Sequence, residues 1–426
     1  MTVGSAAVLT LLVFAWSVFS GALARRNVTG PLVFAVAGFL LSNPTWGPVP
    51  IAVETSSIHL IAEVTLALLL FSDAARVNLH DLRSDSALSV RLLGLGLPLS
   101  VVAGTVAAGL LLDLPWGLAL FLGAALAPTD AALSIQVIND ERIPMRLRRS
   151  LNVESGLNDG IVTPLVGVAL AVAASQLGQT SETVSFDLWS SLLELGIGVL
   201  VGAVVGGLGA LTLNWTSHHR WIAPGGHRLA ALAIAGGSLA ATLVLDGNGF
   251  IAAFVAGAAF GAVADHDEID IERTDELPEL GGELLGLIVW YLFGATLIPI
   301  AAEHLSGAVA LYALLSLTLV RMAPVALSMV GARLDGPTTT FLAWFGPRGL
   351  ASVVFALLAI EALGELDPAV DLAVSAVALT VTASILLHGI TAGPGGRRYV
   401  ALENADPSIG PRARRSYLTR SARQAR

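Results

Sequence analysis

Carboxylate, hydroxyl, amide and guanidinium side chains interrupt four segments of the chain that are otherwise apolar. They lie in Pro128-Thr129-Asp130, in Glu154-Ser155 with Asn158-Asp159, at Arg321, and in Gly346-Pro347-Arg348-Gly349. A charged side chain at the centre of a bilayer costs about 2.5–3.5 kcal/mol on insertion scales, so each one is a functional-site hypothesis by default. Carboxylate, hydroxyl and carbonyl oxygens are ligands for hard cations, and a buried carboxylate also holds a proton. The residue types therefore predict cation and proton chemistry inside a membrane.

The charges of these segments do not balance. Two arginines, Arg321 and Arg348, face three acids, Asp130, Glu154 and Asp159. Because an unpaired buried ion is less stable than a paired one, each arginine is expected to take one acid as its partner. One carboxylate then remains, and we expect it to be the charge that a transported ion neutralises.

Helical spacing selects Asp159 as the remaining carboxylate. Ser155 and Asp159 are four residues apart and share one helix face, whereas Glu154 lies on the adjacent face. Glu154 is therefore free to pair with Arg321. Asp159 keeps only hydroxyl and carbonyl oxygens around it.

The candidate ion site consists of Asp159, Ser155 and Thr129, which we expect to hold a small cation, with Asp130 and Asn158 as further members. Removal from water disfavours a charged carboxylate, so a proton and a small cation can compete for Asp159 near physiological pH. One negative charge that is neutralised by either ion predicts a one-for-one exchanger.

Two acidic residues have more than one interpretation. Asp130 follows Pro128, so its carboxylate can cap the second half of a broken helix near its positive end, and we favour this role over direct coordination. Asp73 is either part of a cytoplasmic ion route or a solvated end of a span. Other acidic and histidine residues are interpreted as core or interface groups without a role in transport: His59, Glu63, Glu194, Glu283 and His388.

The elements that carry these residues must be membrane-spanning helices. Of the 426 residues, 55% are hydrophobic and 13% are charged, and the mean hydropathy is +0.77. Soluble proteins have about 45–50% apolar and about 25% charged residues, so a water-soluble enzyme is excluded. A span takes about 20 apolar residues, and about thirteen segments qualify. The fold class is therefore predicted to be an all-α polytopic membrane protein.

The arginines predict the orientation of these spans. The chain has 23 arginines, 32 acids, no lysine and no cysteine, and its net charge is −9. We number the loops between the predicted spans from the N-terminus. Twenty-one of the arginines fall in odd-numbered loops or after Gly396, and the even-numbered loops have none. Because short cytoplasmic loops collect basic residues, the N-terminus is predicted outside and the C-terminus in the cytoplasm of a cell-membrane protein. The Arg-rich tail, 397–426, is predicted to be disordered.

Spans five and twelve are predicted to be broken helices. Pro128 and the run 346–349 interrupt them about 15 Å from their cytoplasmic ends, at the depth where transporter sites occur. Irregular backbone at this depth is tolerated only beside a polar cavity or within protein. Both breaks are therefore expected to face the ion site.

Three motifs resemble, in this order, those of the cation–proton antiporter superfamily: Pro128-Thr129-Asp130 of span five, Glu154-Ser155 with Asn158-Asp159 of span six, and Gly346-Pro347-Arg348-Gly349 of span twelve. They are most similar to its electroneutral branch of NhaP-like Na⁺/H⁺ antiporters and exchangers, and the resemblance extends from residue 1 to about residue 395. The resemblance implies that Asp159, Ser155 and Thr129 hold the ion and that Glu154 pairs with Arg321. Arg348 is interpreted as core electrostatics.

The resemblance also implies an architecture. It is an inverted-repeat antiporter fold over 1–396, in which spans five and twelve cross at the ion site, and a homodimer. An interface part would comprise 1–80 and 228–303, and a core that moves as an elevator would comprise 87–175 and 305–395. Residues 187–214 would form the linking span.

Several functions follow from these observations. The leading hypothesis is a secondary antiporter, not an enzyme, that exchanges Na⁺ or Li⁺ for H⁺ without net charge movement. The resemblance implies this stoichiometry, because the electrogenic branch of the superfamily has two adjacent aspartates and a lysine in the core, whereas here Asn158 precedes a single Asp159 and the chain has no lysine. A K⁺/H⁺ antiporter on the same scaffold is the alternative, and a cation channel or a sensor ranks below it. The expected partners are the lipid bilayer, a monovalent cation and a proton, with no cofactor and no nucleic acid.

Overall fold

The computed structural model describes residues 3–49, 55–76, 87–178, 188–223, 225–364 and 367–405. These ranges are helical and contain no β-strand, as the composition predicts. The first helices are α1 (Val3–Ala24), α2 (Gly30–Ser42), α3 (Thr55–Ala75), α4 (Ala87–Leu112), α5 (Trp116–Ala125), α6 (Ile135–Ile138) and α7 (Met145–Gln176). They are followed by α8 (Leu188–His218), α9 (Gly226–Val244), α10 (Gly249–Val263), α11 (Ile271–Thr274) and α12 (Glu276–Glu303). The last are α13 (Gly307–Leu317), α14 (Leu319–Ser328), α15 (Gly336–Trp344), α16 (Leu350–Leu363) and α17 (Pro368–Ala405).

Nine helical segments of the described ranges are long and apolar enough to cross a membrane: α1, α3, α4, α7, α8, α9, α12, α13 with α14, and α17. Four more are apolar but shorter: α2, α5, α10 and α16. Their order along the chain follows the segments predicted to span. The polytopic all-α fold is therefore confirmed, and the number of spans stays a prediction.

Both predicted helix breaks are present. α5 ends at Ala125, and the chain is not helical again until the short turn Ala132–Ser134 that precedes α6. α15 ends at Trp344, and α16 begins at Leu350. The two irregular segments meet, because the Asp130 backbone N–H donates to the Pro347 carbonyl at 2.9 Å. The pair thus crosses inside the protein.

Apolar packing surrounds this crossing. Six side chains of α5 and α16 are fully buried in one large hydrophobic cluster: Leu118, Phe121, Leu122, Val353, Val354 and Phe355. Elsewhere glycines allow helices to approach closely, since a Cβ at Gly202 or Gly206 of α8 would overlap the backbone of α10. The broken helices are therefore enclosed by protein and not by lipid.

One boundary differs from its prediction. The segment 397–405, assigned to a disordered tail, continues α17 to Ala405. Its side chains explain this, because Tyr399 is buried against Phe341 (ring centroids 4.6 Å apart) and shares a 3.0 Å hydrogen bond with Thr338. The rest of the tail, 406–426, lies outside the described residues. So do three polar segments that interrupt the apolar pattern and therefore predict loops between spans, 78–85, 181–187 and 365–366.

Candidate functional site

A hydroxyl and amide network joins the break of span five to α7. Thr129 Oγ1 shares a 3.0 Å hydrogen bond with Ser155 Oγ and accepts another, of 2.8 Å, from Asn158 Nδ2. All three side chains are buried. Asn158 Oδ1 is also buried and has no hydrogen-bond partner in the described part of the chain. The network thus collects oxygen atoms beside Asp159 on α7.

Asp159 lines an open cavity. Its carboxylate forms no hydrogen bond or ion pair with any residue that the structure describes. The charges that act on it are those of two other acids, Asp73 and Asp130. The chain therefore presents a carboxylate at the floor of the cavity that no fixed cation neutralises.

Glu154 and Arg321 form a buried bidentate ion pair. Arg321 Nη1 and Nη2 donate to the two carboxylate oxygens of Glu154 at 2.6 and 2.9 Å, and both side chains are 1% exposed. This is the pair that the charge count predicts. Because one carboxylate and one guanidinium cancel, Glu154 is not a free negative charge in the site.

Asp130 joins the two breaks with its carboxylate. Oδ1 accepts the backbone N–H of Ala132 at 2.7 Å, and Oδ2 accepts that of Leu350 at 3.0 Å. Leu350 is the first residue of α16, so the carboxylate lies at the positive end of that half-helix. The sequence predicts a cap on the second half of span five, whereas the structure gives Asp130 one N–H of that segment, at Ala132, and the first N–H of α16 in span twelve.

Arg348 takes carbonyls as partners, which differs from the expectation that each arginine pairs with an acid. Its Nη1 donates to the carbonyls of Ala127 and Pro128 at 2.8 and 3.2 Å, and its Nη2 to that of Ser316 at 3.5 Å. Ala127 and Pro128 follow the C-terminus of α5, where the helix dipole is negative. The break in α5 thus supplies the compensating charge that was expected from a carboxylate.

Two glycines of span twelve make room for this arrangement. A Cβ at Gly346 would lie 2.6 Å from Arg321 Nε, and one at Gly349 would overlap the Asp130 carboxylate. Steric contact therefore explains why both ends of the motif Gly346-Pro347-Arg348-Gly349 are glycines.

The cavity has a volume of about 690 Å³ and extends from Asp159 to several arginines of the odd-numbered loops. These are Arg76, Arg146 and Arg149. Asp73 lines the cavity as well and lies next to Gly156 of α7. A Cβ atom added to Gly156 would be 3.5 Å from the Cβ of Asp73. Like Asp159, the Asp73 carboxylate has no hydrogen bond or ion pair within the described ranges. Glu283 of α12 also lines the cavity without such a partner, so the cavity contains more unpaired carboxylates than the single one that the charge count predicts.

Sequence reasoning missed an ionic network on the wall of this cavity. Arg76 Nε donates to Asp275 Oδ2 at 2.9 Å, and its terminal nitrogens donate to both carboxylate oxygens of Glu279. Asp275 also accepts from Ser72 Oγ at 2.9 Å and is fully buried, which raises its pKa to about 6. Since its members are about 200 residues apart in sequence, no local pattern could have revealed the network.

A close contact between an imidazole and a carboxylate links α3 to α16. His59 Nδ1 lies 3.1 Å from Glu361 Oε2, and the imidazole is buried without a hydrogen bond to any described residue. His59 was interpreted from the sequence as a core group, and its burial agrees with that interpretation. In the described ranges there is no cluster of three histidine or acidic residues that could hold a metal ion.

Comparison with known proteins gives consistent results. The family model described as sodium/hydrogen exchanger, transmembrane, matches residues 8–396. A protein named Na(+)/H(+) antiporter NhaP from Pseudomonas aeruginosa is 31% identical over 366 residues, which are 81% of this chain and 82% of that protein. A protein named K(+)/H(+) antiporter NhaP from Alkalimonas amylolytica is 27% identical over 331 residues. That alignment covers 76% of this chain but only 55% of the relative, so the chain spans about half of its length.

The fold is that of a solved structure. The sodium proton antiporter MjNhaP1 from Methanocaldococcus jannaschii at pH 8 superimposes with a TM-score of 0.75 and 20% sequence identity. The superposition covers 92% of this chain and 98% of the other. At this identity the similarity establishes the fold alone.

Proposed function

Because the chain belongs to the sodium/hydrogen exchanger family, we propose that it exchanges a monovalent cation for protons across the cell membrane. The observation that carries the proposal is the unpaired carboxylate of Asp159 at the floor of an open cavity, beside the hydroxyls of Thr129 and Ser155. A carboxylate beside hydroxyl oxygens that can coordinate a cation can bind either a cation or a proton, but not both at once. Binding of one ion therefore releases the other.

Na⁺, with Li⁺ as an analogue, is the proposed cation. Asp159, Ser155 and Thr129 would hold it, with Asp130 and Asn158 as outer members of the site. The hydroxyl and carboxylate oxygens suit a small hard ion. K⁺ is the second candidate, because relatives of this chain are named as Na⁺/H⁺ and as K⁺/H⁺ antiporters.

The proposed exchange is electroneutral. Asn158 precedes Asp159, so this turn of α7 contributes one carboxylate to the site, and the neighbouring Glu154 is neutralised by Arg321. Asp73 is a second carboxylate in the cavity, and we assign it to the ion route. A membrane potential clamped with valinomycin and K⁺ should leave the rate of exchange unchanged, and a clear voltage dependence would contradict one-for-one exchange.

Alternating access is proposed to occur by movement of a core against an interface part. The core would comprise 87–175 and 305–395, and the interface part, 1–80 and 228–303, would form a homodimer. The irregular crossing of spans five and twelve moves with the core, so the ion stays on Asp159 while the side from which it is reached changes. In the proposed orientation the cavity faces the cytoplasm, since arginines of the odd-numbered loops line it.

Proteoliposomes test the proposal. A pH-sensitive dye reports proton movement when Na⁺, Li⁺ or K⁺ is added to vesicles that contain the wild type, Asp159→Asn or Asp113→Asn. Asp113 is an exposed residue at the end of α4 with a left-handed backbone that asparagine tolerates, so this variant is a control for loss of an acidic charge. We expect exchange by the wild type and by Asp113→Asn, and none by Asp159→Asn. Exchange by Asp159→Asn at the wild-type rate would show that the ion site is elsewhere.

A further inference from the structure

A carboxylate on α12 lines the cavity and has no role in the exchange described above. α12 presents one face to the cavity, formed by Glu279, Gly282, Glu283, Gly286, Leu287 and Trp290. Their spacing of three and four residues is that of a single helical stripe. The Glu283 side chain is accessible to water and forms no hydrogen bond or ion pair with any described residue. It is therefore an ionisable group that is free to contact a dissolved cation.

The cationic side chain that acts on Glu283, Arg76, is held by other acids. Its Nε donates to Asp275 at 2.9 Å and its Nη1 to Glu279 at 2.6 Å, while its Nη2 contacts the second Glu279 oxygen. Charge-assisted and bidentate bonds of this kind are the strong ones, so Arg76 would lose three of them by turning toward Glu283. The Ser72 hydroxyl donates a hydrogen bond of 2.9 Å to the other carboxylate oxygen of Asp275, Oδ1. The network thus keeps Arg76 away from Glu283.

The resulting charge distribution favours cations. One guanidinium is shared by the two carboxylates Asp275 and Glu279, so the network is negative when all its members are ionised, and Glu283 adds a further charge. Gly282 and Gly286 lie against the side chains of Leu69 and Leu350, which make the adjoining wall apolar. Arg146 and Arg149 also line the cavity, so the negative charge is local to the α12 wall. Charge of one sign beside an apolar surface raises the local concentration of the opposite ion there.

We propose that Glu283 is the carboxylate that a cation contacts on its way through the cavity to Asp159, and that the Arg76 network serves to keep it unpaired. This inference rests on the proposed function. Glu283 is a positioning residue: it sets the apparent affinity for the cation and not the rate of the exchange step, because its contact is lost before the cation reaches Asp159.

Exchange kinetics in proteoliposomes test the role of Glu283. Glu283→Gln should raise the KM for Na⁺ about fivefold and leave kcat unchanged. A change of about fivefold corresponds to the attraction between two unit charges in contact in water. Glu283→Asp should restore most of the affinity, and added impermeant salt should reduce the difference between variants. Glu303→Gln, an exposed site at the other end of α12, is the matched control and should behave as the wild type.

The Arg76 network makes a second, independent prediction. Asp275→Asn should weaken the bond of Arg76 Nε and leave the guanidinium on Glu279 alone, where it can turn toward Glu283 one turn away, and we expect the KM to rise in the same direction as in Glu283→Gln. In the double variant the KM should rise no further than in Glu283→Gln alone, because both changes remove the same free carboxylate. Asp267→Asn, an exposed acid of the preceding loop, is the control for loss of charge.

The outcomes separate the two proposals. Unchanged KM in a folded Glu283→Gln variant, or a loss of kcat at constant KM, would overturn the role of Glu283 and leave the proposed antiport intact. Additive effects in the double variant would overturn the role of the network. Glu283→Ala provides a second neutral variant, and size-exclusion profiles report folding. A wild type that exchanges no cation would instead refute the proposed function.

Discussion

At the scale of residues, the site separates neutralised charges from free ones. Glu154 is cancelled by Arg321, and Asp130 is held by the N-terminus of α16. Asp159 has no such partner within the described ranges. Among these three acids, Asp159 is therefore the one that lines the cavity without a fixed partner, and we propose that its charge depends on the ion that enters.

Thr129→Val tests the hydroxyl network. Valine has the same shape but no hydroxyl, so Asn158 Nδ2 loses the acceptor that it contacts at 2.8 Å. An unsatisfied buried donor costs roughly 1–3 kcal/mol, and we expect a lower melting temperature together with weaker cation affinity. Thermal unfolding and the KM for Na⁺ measure the two effects. Thr212→Val, on an exposed part of α8, is the control, and a Thr129→Val variant indistinguishable from it would contradict the role of Thr129.

The sequence predicted the Glu154–Arg321 pair but not the partners of Arg348. The spacing of Glu154 and Asp159 on α7 predicts which acid meets Arg321. The partners of Arg348 are backbone carbonyls at a helix break, and their direction depends on how the break folds. A count of charged side chains leaves such carbonyls out, so it predicted an acid as the partner of Arg348. The acid that remains, Asp130, instead accepts hydrogen bonds from backbone N–H groups.

At the scale of elements, the crossing is stabilised by opposite charges at the ends of half-helices. Arg348 lies at the negative end of α5, and Asp130 lies at the positive end of α16. Ser352 Oγ adds a 2.6 Å hydrogen bond to the Ala125 carbonyl. The two breaks are thereby one structural unit and not two independent interruptions.

Gly349→Ala tests this unit. A Cβ at this position would overlap the Asp130 carboxylate, so the cap on α16 must shift. We expect loss of exchange and a lower melting temperature. Gly336→Ala, where a Cβ meets open space at the start of α15 in the same span, should have little effect. Wild-type exchange by Gly349→Ala would show that the crossing does not depend on this contact.

The pH dependence of stability tests the ionic network between α3 and the start of α12. Burial raises the pKa of Asp275 from 3.8 to about 6, against the opposite effect of Arg76. The folded state therefore keeps a proton that the unfolded chain releases, and this contribution to stability is present below pH 3.8 and is lost as the pH rises through about 6. Asp275→Asn should show a smaller fall in melting temperature between pH 4 and pH 7 than Asp267→Asn. Identical pH profiles of the two variants would contradict the burial of Asp275.

Helix breaks were predictable, whereas helix lengths were not. Proline and glycine within an apolar run specify both interruptions, because they remove donors or tolerate irregular backbone. The continuation of α17 to Ala405 depends on the packing of Tyr399 against Phe341, more than fifty residues earlier. Such tertiary contacts override the local polarity of the segment.

At the scale of the whole molecule, one cavity connects Asp159 to arginines of the odd-numbered loops. The proposed cytoplasmic orientation of this cavity rests on the distribution of those arginines. The composition of the chain predicted the membrane fold. The cavity volume and the Arg76 network could not be predicted, because they arise from contacts between α3, α7 and α12 that no local pattern specifies.

Single cysteines test this orientation, since the natural chain has none. Gln136→Cys, in the cavity, should react with a membrane-impermeant thiol reagent only from the cytoplasmic side. Glu303→Cys, at the end of α12 followed by an even-numbered loop, should react only from the outside. Labelling of both sites from one side would contradict the predicted topology.

Competition between a proton and a cation for Asp159 is measured most directly by calorimetry of cation binding in buffers of different ionisation enthalpy. The dependence of the heat on the buffer gives the number of protons released for each cation bound. We expect about one proton per Na⁺ for the purified wild type, since one carboxylate exchanges one ion for the other, and no binding by Asp159→Asn. Cation binding by the wild type without proton release, or unchanged binding and release by Asp159→Asn, would contradict the central role of Asp159.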